Sequence, residues 1–184
     1  MPHLLDDDLL HRLESAWREQ GAEIADVLAP GLDVREAEER VHARLGVTLP
    51  TEARRWFGWH DGTESSTPHG WDVGPYVSFY SLSDAFEVLD LPFGAGGETA
   101  PSTWLPIAQA PGGLICIDCA DPEVAVVHRI DYEVGFRPGA ASMGEMVLLW
   151  LEMYESGAWS WNPAGYWNRD FDKAPSRIDG MYVV

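Results

Sequence analysis

The side chains with the most chemical capacity lie together in GGLICIDCADPEVAVVH, residues 112–128, which holds both cysteines of the chain, three carboxylates and a histidine. Cys116 and Cys119 have the spacing of a zinc or redox pair. Zinc ribbons, however, set such a pair at a tight turn and need a second pair of ligands, and the chain has no other cysteine. Thioredoxin-like pairs need a helix N-terminus to lower the thiol pKa. These two cysteines instead lie in a β-rich run, an odd number of residues apart, so a regular strand turns them to opposite faces. They read as buried structural residues. His128, a cysteine and Asp118 could form a base, nucleophile and orienting acid. No nucleophile elbow or oxyanion-hole motif accompanies them. The six histidines form no local ligand pair, and the glycine-rich FGAGGE and PGG lack the Gly-Lys-Ser/Thr or strand–GxGxxG–helix context of a phosphate cradle. We therefore expect no catalytic, metal-binding or cofactor-binding residues.

Charge is more informative. Thirty acidic residues against 12 basic ones leave a net charge of −18. No Lys or Arg occurs from Trp56 to His128, whereas ten acids do: Asp61, Glu64, Asp72, Asp84, Glu87, Asp90, Glu98, Asp118, Asp121 and Glu123. Nucleic-acid binding depends on cations that displace counterions from phosphates, so nucleic acid and anionic membranes are excluded as partners. A field of one sign favours a partner of the other and speeds encounter with it. An acidic surface that serves solubility alone is the plainer alternative. Two cysteines, no run of apolar residues long enough for a membrane span and no basic, apolar leader point to a soluble cytoplasmic protein.

The elements that would carry these residues suit one domain with a core of its own. Acids at 6–8 and Leu9, Leu13 and Trp17 at helical spacing predict a first helix. Asp33 with Glu36 three residues on forms a capping-box pattern for a second helix, which runs through Val41 and Leu45 to Gly46. LPTEARRWFGWHDG reads as a third, with Pro50 in its first turn and Asp61-Gly62 as its end. A polar loop follows over 63–75, then a strand at 76–80 and a short helix capped by Ser81. A further loop precedes a strand at 104–109, and LICIDCA and VAVVHRI form a hairpin joined by Asp-Pro-Glu. Ser142 and Glu145 make a second capping box, and the helix they open has so narrow a polar strip that it should be largely buried. Helices first, strands in the middle and a closing helix argue for an α+β domain.

Three of these stretches resemble the SUKH superfamily, the Smi/Knr-type cell-wall regulator and immunity-protein family. The first is a Leu-Pro pair opening a helix that ends in an aromatic turn: Leu49, Pro50, Trp56, Phe57, Trp59, Asp61 and Gly62. The second is WLPIAQAPGGLICIDCAD, with Trp104, Ile107, Gly112, Gly113 and Asp118. The third is the Ser142–Trp159 closing helix. The resemblance covers 33–159, leaving an N-terminal helical extension over 1–32 and an aromatic-rich tail over 160–184. Trp159, Trp161, Tyr166 and Trp167 either seal the core as a docked tail or form a second aromatic patch. Arg54 and Arg55 depart from the pattern as a basic spot in an acidic protein.

The resemblance implies a mainly antiparallel, twisted sheet packed by helices, and no enzymatic activity. Bacterial members are similar to immunity proteins that neutralise toxins, many of them nucleases, whose basic clefts would complement this charge. The expected partner is a basic protein such as a toxin, and the expected assembly a monomer or weak dimer. Asp61, Glu64, His69, Trp71, Asp72, Asp118, Asp121 and Glu123 are the candidate contacts. Leu49, Pro50, Trp59, Gly62, Trp104, Gly112 and Gly113 are expected to hold the fold. A regulatory scaffold, an aromatic-pocket binder of peptides or small molecules, and a thiol hydrolase are the alternatives.

Overall fold

A computed structural model describes residues 1–63, 72–93 and 99–176. The chain runs α1 (Asp7–Gln20), α2 (Ile24–Val27), β1 (Leu28–Pro30), α3 (Val34–Leu45), α4 (Thr51–Trp59), β2 (His60–Thr63), β3 (Ser78–Phe79) and α5 (Leu82–Leu89). It continues through β4 (Trp104–Ala110), β5 (Gly113–Asp118), β6 (Val126–Asp131), β7 (Gly135–Pro138), α6 (Met143–Glu155), β8 (Trp159–Asn162) and β9 (Tyr166–Arg169). Strands β3 to β7 form one antiparallel meander in chain order, while β1–β2 and β8–β9 are separate two-stranded ribbons. This is the α+β architecture expected, with an antiparallel sheet at its centre. Among the described residues no helix is long and apolar enough to cross a membrane.

Side-chain alternation divides the sheet into two faces. Leu105, Ile107, Ile115, Ile117 and Val127 join the main core, in which α6 buries nine of its 13 residues. Within that core Trp17 stacks on Trp59 at 6.0 Å, Trp56 meets Phe79 edge-on at 4.7 Å, and Phe79 stacks on Trp150 at 5.9 Å. The opposite face carries a smaller cluster of Phe93, Trp104, Leu114, Cys116 and Ile130. Cys116 belongs to this second cluster and Cys119 to the main core, the division that strand alternation predicts.

One carboxylate joins the segments around the sheet. Glu52, fully buried in the first turn of α4, accepts hydrogen bonds from three backbone N–H groups far apart in sequence. They are Leu5 at 2.7 Å, Ala125 at 2.8 Å and Gly144 at 3.0 Å. The last lies in the first turn of α6, where unpaired N–H groups and the helix dipole favour an anion. Gly144 admits the N-terminal segment closely, because a Cβ there would stand 2.3 Å from the His3 carbonyl oxygen.

Several local expectations meet tertiary competition. Ser142 caps α6 by accepting from the Glu145 N–H, but the Glu145 carboxylate accepts from the His3 N–H instead of closing a capping box. Helix α4 ends at Trp59, and Asp61 and Gly62 belong to β2, which pairs with β1. The 76–80 strand shortens to Ser78–Phe79, and the β5–β6 connection is the longer 119–125 segment rather than Asp-Pro-Glu. In the tail, Trp159 and Trp167 are buried while Tyr166 is 53% exposed, so one hairpin both seals the core and presents an aromatic ring. The Trp167 indole donates to the Asp72 carbonyl at 2.6 Å.

Replacing Glu52 by alanine leaves three buried N–H donors unpaired at once. We expect a loss of about 3 kcal/mol or more in urea unfolding, with Glu52→Gln intermediate because one amide oxygen replaces two acceptors.

Candidate functional site

The residues between β5 and β6 bring three of the expected contacts into one loop. Its carboxylates are held by local geometry. Asp118 accepts from the Ala120 N–H at 2.9 Å, and Asp121 accepts from Glu123 and Val124 at 2.8 and 3.1 Å. These backbone bonds hold the exposed Asp121 carboxyl below its ordinary range, so it stays ionised. The Glu123 carboxylate accepts from the Thr51 hydroxyl at 3.2 Å.

The loop backbone is fastened on three sides. Thr51 donates to the Pro122 carbonyl at 2.9 Å, Cys119 donates to Thr103 at 2.8 Å, and Ala125 reaches Glu52. The start of α4 therefore positions the loop as well as the core. Beside it, on the outer face of the sheet, the His128 ring stacks on Trp104 at 4.1 Å, with Phe136 edge-on to Trp104 at 5.2 Å. Phe136 is 44% exposed, an aromatic ring against Trp104 that sequence reading did not single out. Its position follows from β6–β7 register, which no local signal in the sequence marks.

The other candidates lie elsewhere. Asp61 is half-buried and accepts from the Leu82 N–H at 2.6 Å, at the start of α5. Burial raises its pKa, against that hydrogen bond and the nearby Arg40 charge. Asp72 is half-buried and accepts from the Ser78 hydroxyl. Glu64, His69 and Trp71 lie outside the described residues.

The landmark residues occupy the frame. Leu49 is fully buried, and Pro50 takes the N-cap position of α4. The Trp59 indole donates to Glu14 at 2.6 Å. Burial alone would raise the Glu14 pKa, but hydrogen bonds from Trp59, Arg18 and His60 hold it lower. Gly62 has φ +75° and leaves room for Ser81, whose N would lie 2.5 Å from an added Cβ. At Gly113 a Cβ would overlap the Ile130 carbonyl oxygen at 1.9 Å, so the β5–β6 pairing requires glycine there. Gly112 occupies the β4–β5 turn, and Trp104 is nearly buried under His128.

Cys116 and His128 are direct cross-strand partners on the outer face, a thiol–imidazole pair in outline. Its chemistry is suppressed by burial. Desolvation pushes the Cys116 thiol far up, and burial, aided by the Asp118 charge, pushes Cys119 up to about 12. The thiolate is the reactive form, so neither cysteine is poised as a nucleophile at neutral pH. Among the described residues no group of three or more His, Cys, Asp or Glu side chains could hold a metal ion.

Two measurements follow from these environments. Neither thiol should react with DTNB at neutral pH within minutes, and both should react once urea unfolds the chain. Burial against Trp104 also holds His128 below its ordinary 6.5, while Asp118 opposes the shift. The unfolded chain therefore binds this proton more readily. Stability from His128 is complete above the unfolded value and falls as pH drops through the folded one. His128→Asn should flatten the decline in the urea midpoint between about pH 7.5 and pH 5.5.

No curated protein matches this chain. A family profile does match, over residues 35–149, a span that holds the Leu-Pro start of α4, the β4–β5 hairpin and the opening turns of α6. It covers more than half of the sequence, and the chain belongs to the SMI1 / KNR4 family (SUKH-1).

Proposed function

We propose that this protein is a non-catalytic binder of the immunity type, which neutralises a basic toxin by covering its active site with the acidic 118–123 loop. The observation that carries the reading is the anchoring of that loop. Its carboxylates are held by hydrogen bonds and mounted on a backbone tied to α4 and β4. Binding a cation there requires little further ordering, and ordering is a main cost of association. The position suits the wider charge pattern, since residues 56–128 contain no Lys or Arg. A nuclease offers the matching chemistry, because it needs a basic cleft for phosphate. His128 and Phe136, packed on Trp104 across from Asp118, would add aromatic contact of the kind that supplies much of the affinity at the centre of an interface. Family membership is equally compatible with a regulatory role in multi-protein assemblies, and the partner decides between the two.

The test is a pull-down from the source cell's lysate at low and moderate salt, comparing wild type with the triple variant Asp118→Asn, Asp121→Asn, Glu123→Gln. The amide oxygens can keep the turn hydrogen bonds, so the variant removes charge with little change of shape. We expect one basic protein at near-equal stoichiometry, inactive as a nuclease while bound. Its association should slow at least about tenfold in the triple variant, and the difference should shrink with salt. Recovery of several regulatory or envelope-synthesis proteins would replace this reading with the scaffold role. An unchanged association rate in the variant would remove the loop from the interface.

A further inference from the structure

Helices α1, α3 and α4 enclose a groove of about 470 Å³ on the side of the molecule that carries the Arg54-Arg55 pair. The surface it presents is mostly apolar, from Leu10, Val34, Gly58 and Trp59, and its charged lining residues are Asp7, Arg54 and Arg55. Gly58 keeps it open, because a Cβ there would press to 3.2 Å on the Val34 side chain. Trp59 is fixed by its indole bond to Glu14 and its stacking on Trp17, so this wall is preformed. The volume lies within the range of small-molecule sites, which are typically apolar with a few placed polar groups.

Two of the three charged lining residues are cationic. Arg12, Arg18, Arg35, Arg44, Arg54 and Arg137 each lie within 4.0 Å of a carboxylate. Arg54, also on the groove, is thereby neutralised by Glu38 at 2.7 Å. Arg55 is different. Its guanidinium donates to the Leu5 carbonyl at 2.9 Å, and among the described residues no carboxylate lies within ion-pair distance of it. In a chain with 30 acids and 12 basic residues, a cation left without a carboxylate on the rim of an apolar groove is a specific arrangement. The backbone bond holds the guanidinium in place and leaves its other N–H groups available to a ligand.

We propose that this groove binds a small amphipathic carboxylate, its apolar body lying on Leu10, Val34 and Trp59 and its carboxylate on Arg55. The apolar walls contribute burial, and the fixed guanidinium matches a carboxylate with its planar set of donors. Asp7 is the one acid among the lining residues and opposes an anion there, while acids farther than about 8 Å away are screened at physiological ionic strength. Thr51 lines the groove and also holds the acidic loop, but Arg55 and the apolar walls take no part in that loop, and the proposal holds whether or not a toxin partner is found.

Titration with octanoate, followed through the indole N–H resonance of Trp59, tests it. We expect a saturable shift at sub-millimolar ligand, with 1-octanol and octylammonium binding at least about tenfold more weakly. Arg55→Gln should bring octanoate down to the level of 1-octanol. Val34→Glu, which places an acid in the favourable first turn of α3, should bind neither, and Arg35→Gln should match wild type. Absence of a saturable shift, equal binding of octanoate and 1-octanol, or an Arg55→Gln variant with unchanged octanoate affinity would each overturn the proposal.

Discussion

A buried carboxylate needs every lone pair occupied by donors, and at Glu52 that requirement draws the architecture to one point. Its oxygens take N–H groups from the N-terminal segment, the β5–β6 connection and the start of α6. Around this point the contacts reinforce one another. The Ser142 hydroxyl donates to the His3 carbonyl at 2.5 Å, the His3 N–H donates to Glu145, and Arg55 donates to the Leu5 carbonyl. The Leu-Pro pair acquires a physical role from this arrangement. Leu49 is buried and Pro50 starts the helix, which sets Glu52 in the first turn, facing inward.

The sheet imposes the second constraint. A two-residue period assigns each neighbour to a different environment, so the suggestive cluster of cysteines, acids and histidine is dispersed. Cys119 goes to the main core, while Cys116 goes to the outer cluster beside His128, too dry to ionise. The acids survive as surface groups because they lie where the strand ends and the chain turns. Their hydrogen bonds to backbone N–H groups stabilise the turn, and the same bonds keep the charges in place.

The surface is thus divided by chemistry. The acidic loop and its aromatic neighbours occupy one end of the sheet, suited to a cationic protein surface. The groove between α1, α3 and α4 combines apolar walls with a cation that has no carboxylate partner among the described residues, and suits a small anion. Both depend on α4. Thr51 holds the loop, while Arg55, Gly58 and Trp59 form part of the groove.

Features governed by neighbours in sequence were legible without a structure: the caps of α1, α3 and α5, the glycine ends of α1 and α3, the β5 and β6 strands, the burial of α6 and the family landmarks. These depend on residues within a few positions, where propensity, capping and alternation act. The short β1, β2, β7, β8 and β9 strands were not legible, because so few residues carry no periodicity and form only where a partner strand lies beside them. Asp61 and Asp118 illustrate the same limit. Both are acids next to a turn, yet one is directed at the Leu82 N–H and the other lies in the anchored loop. The amino-acid sequence alone determined the acidic charge, the helix and strand order and the class of fold, since each is a local or summed property. Only the tertiary structure decided that Glu52 is the junction, that both thiols are buried and that Arg55 lines a groove with no carboxylate in ion-pair distance among the described residues, because each depends on which distant segments exclude water together.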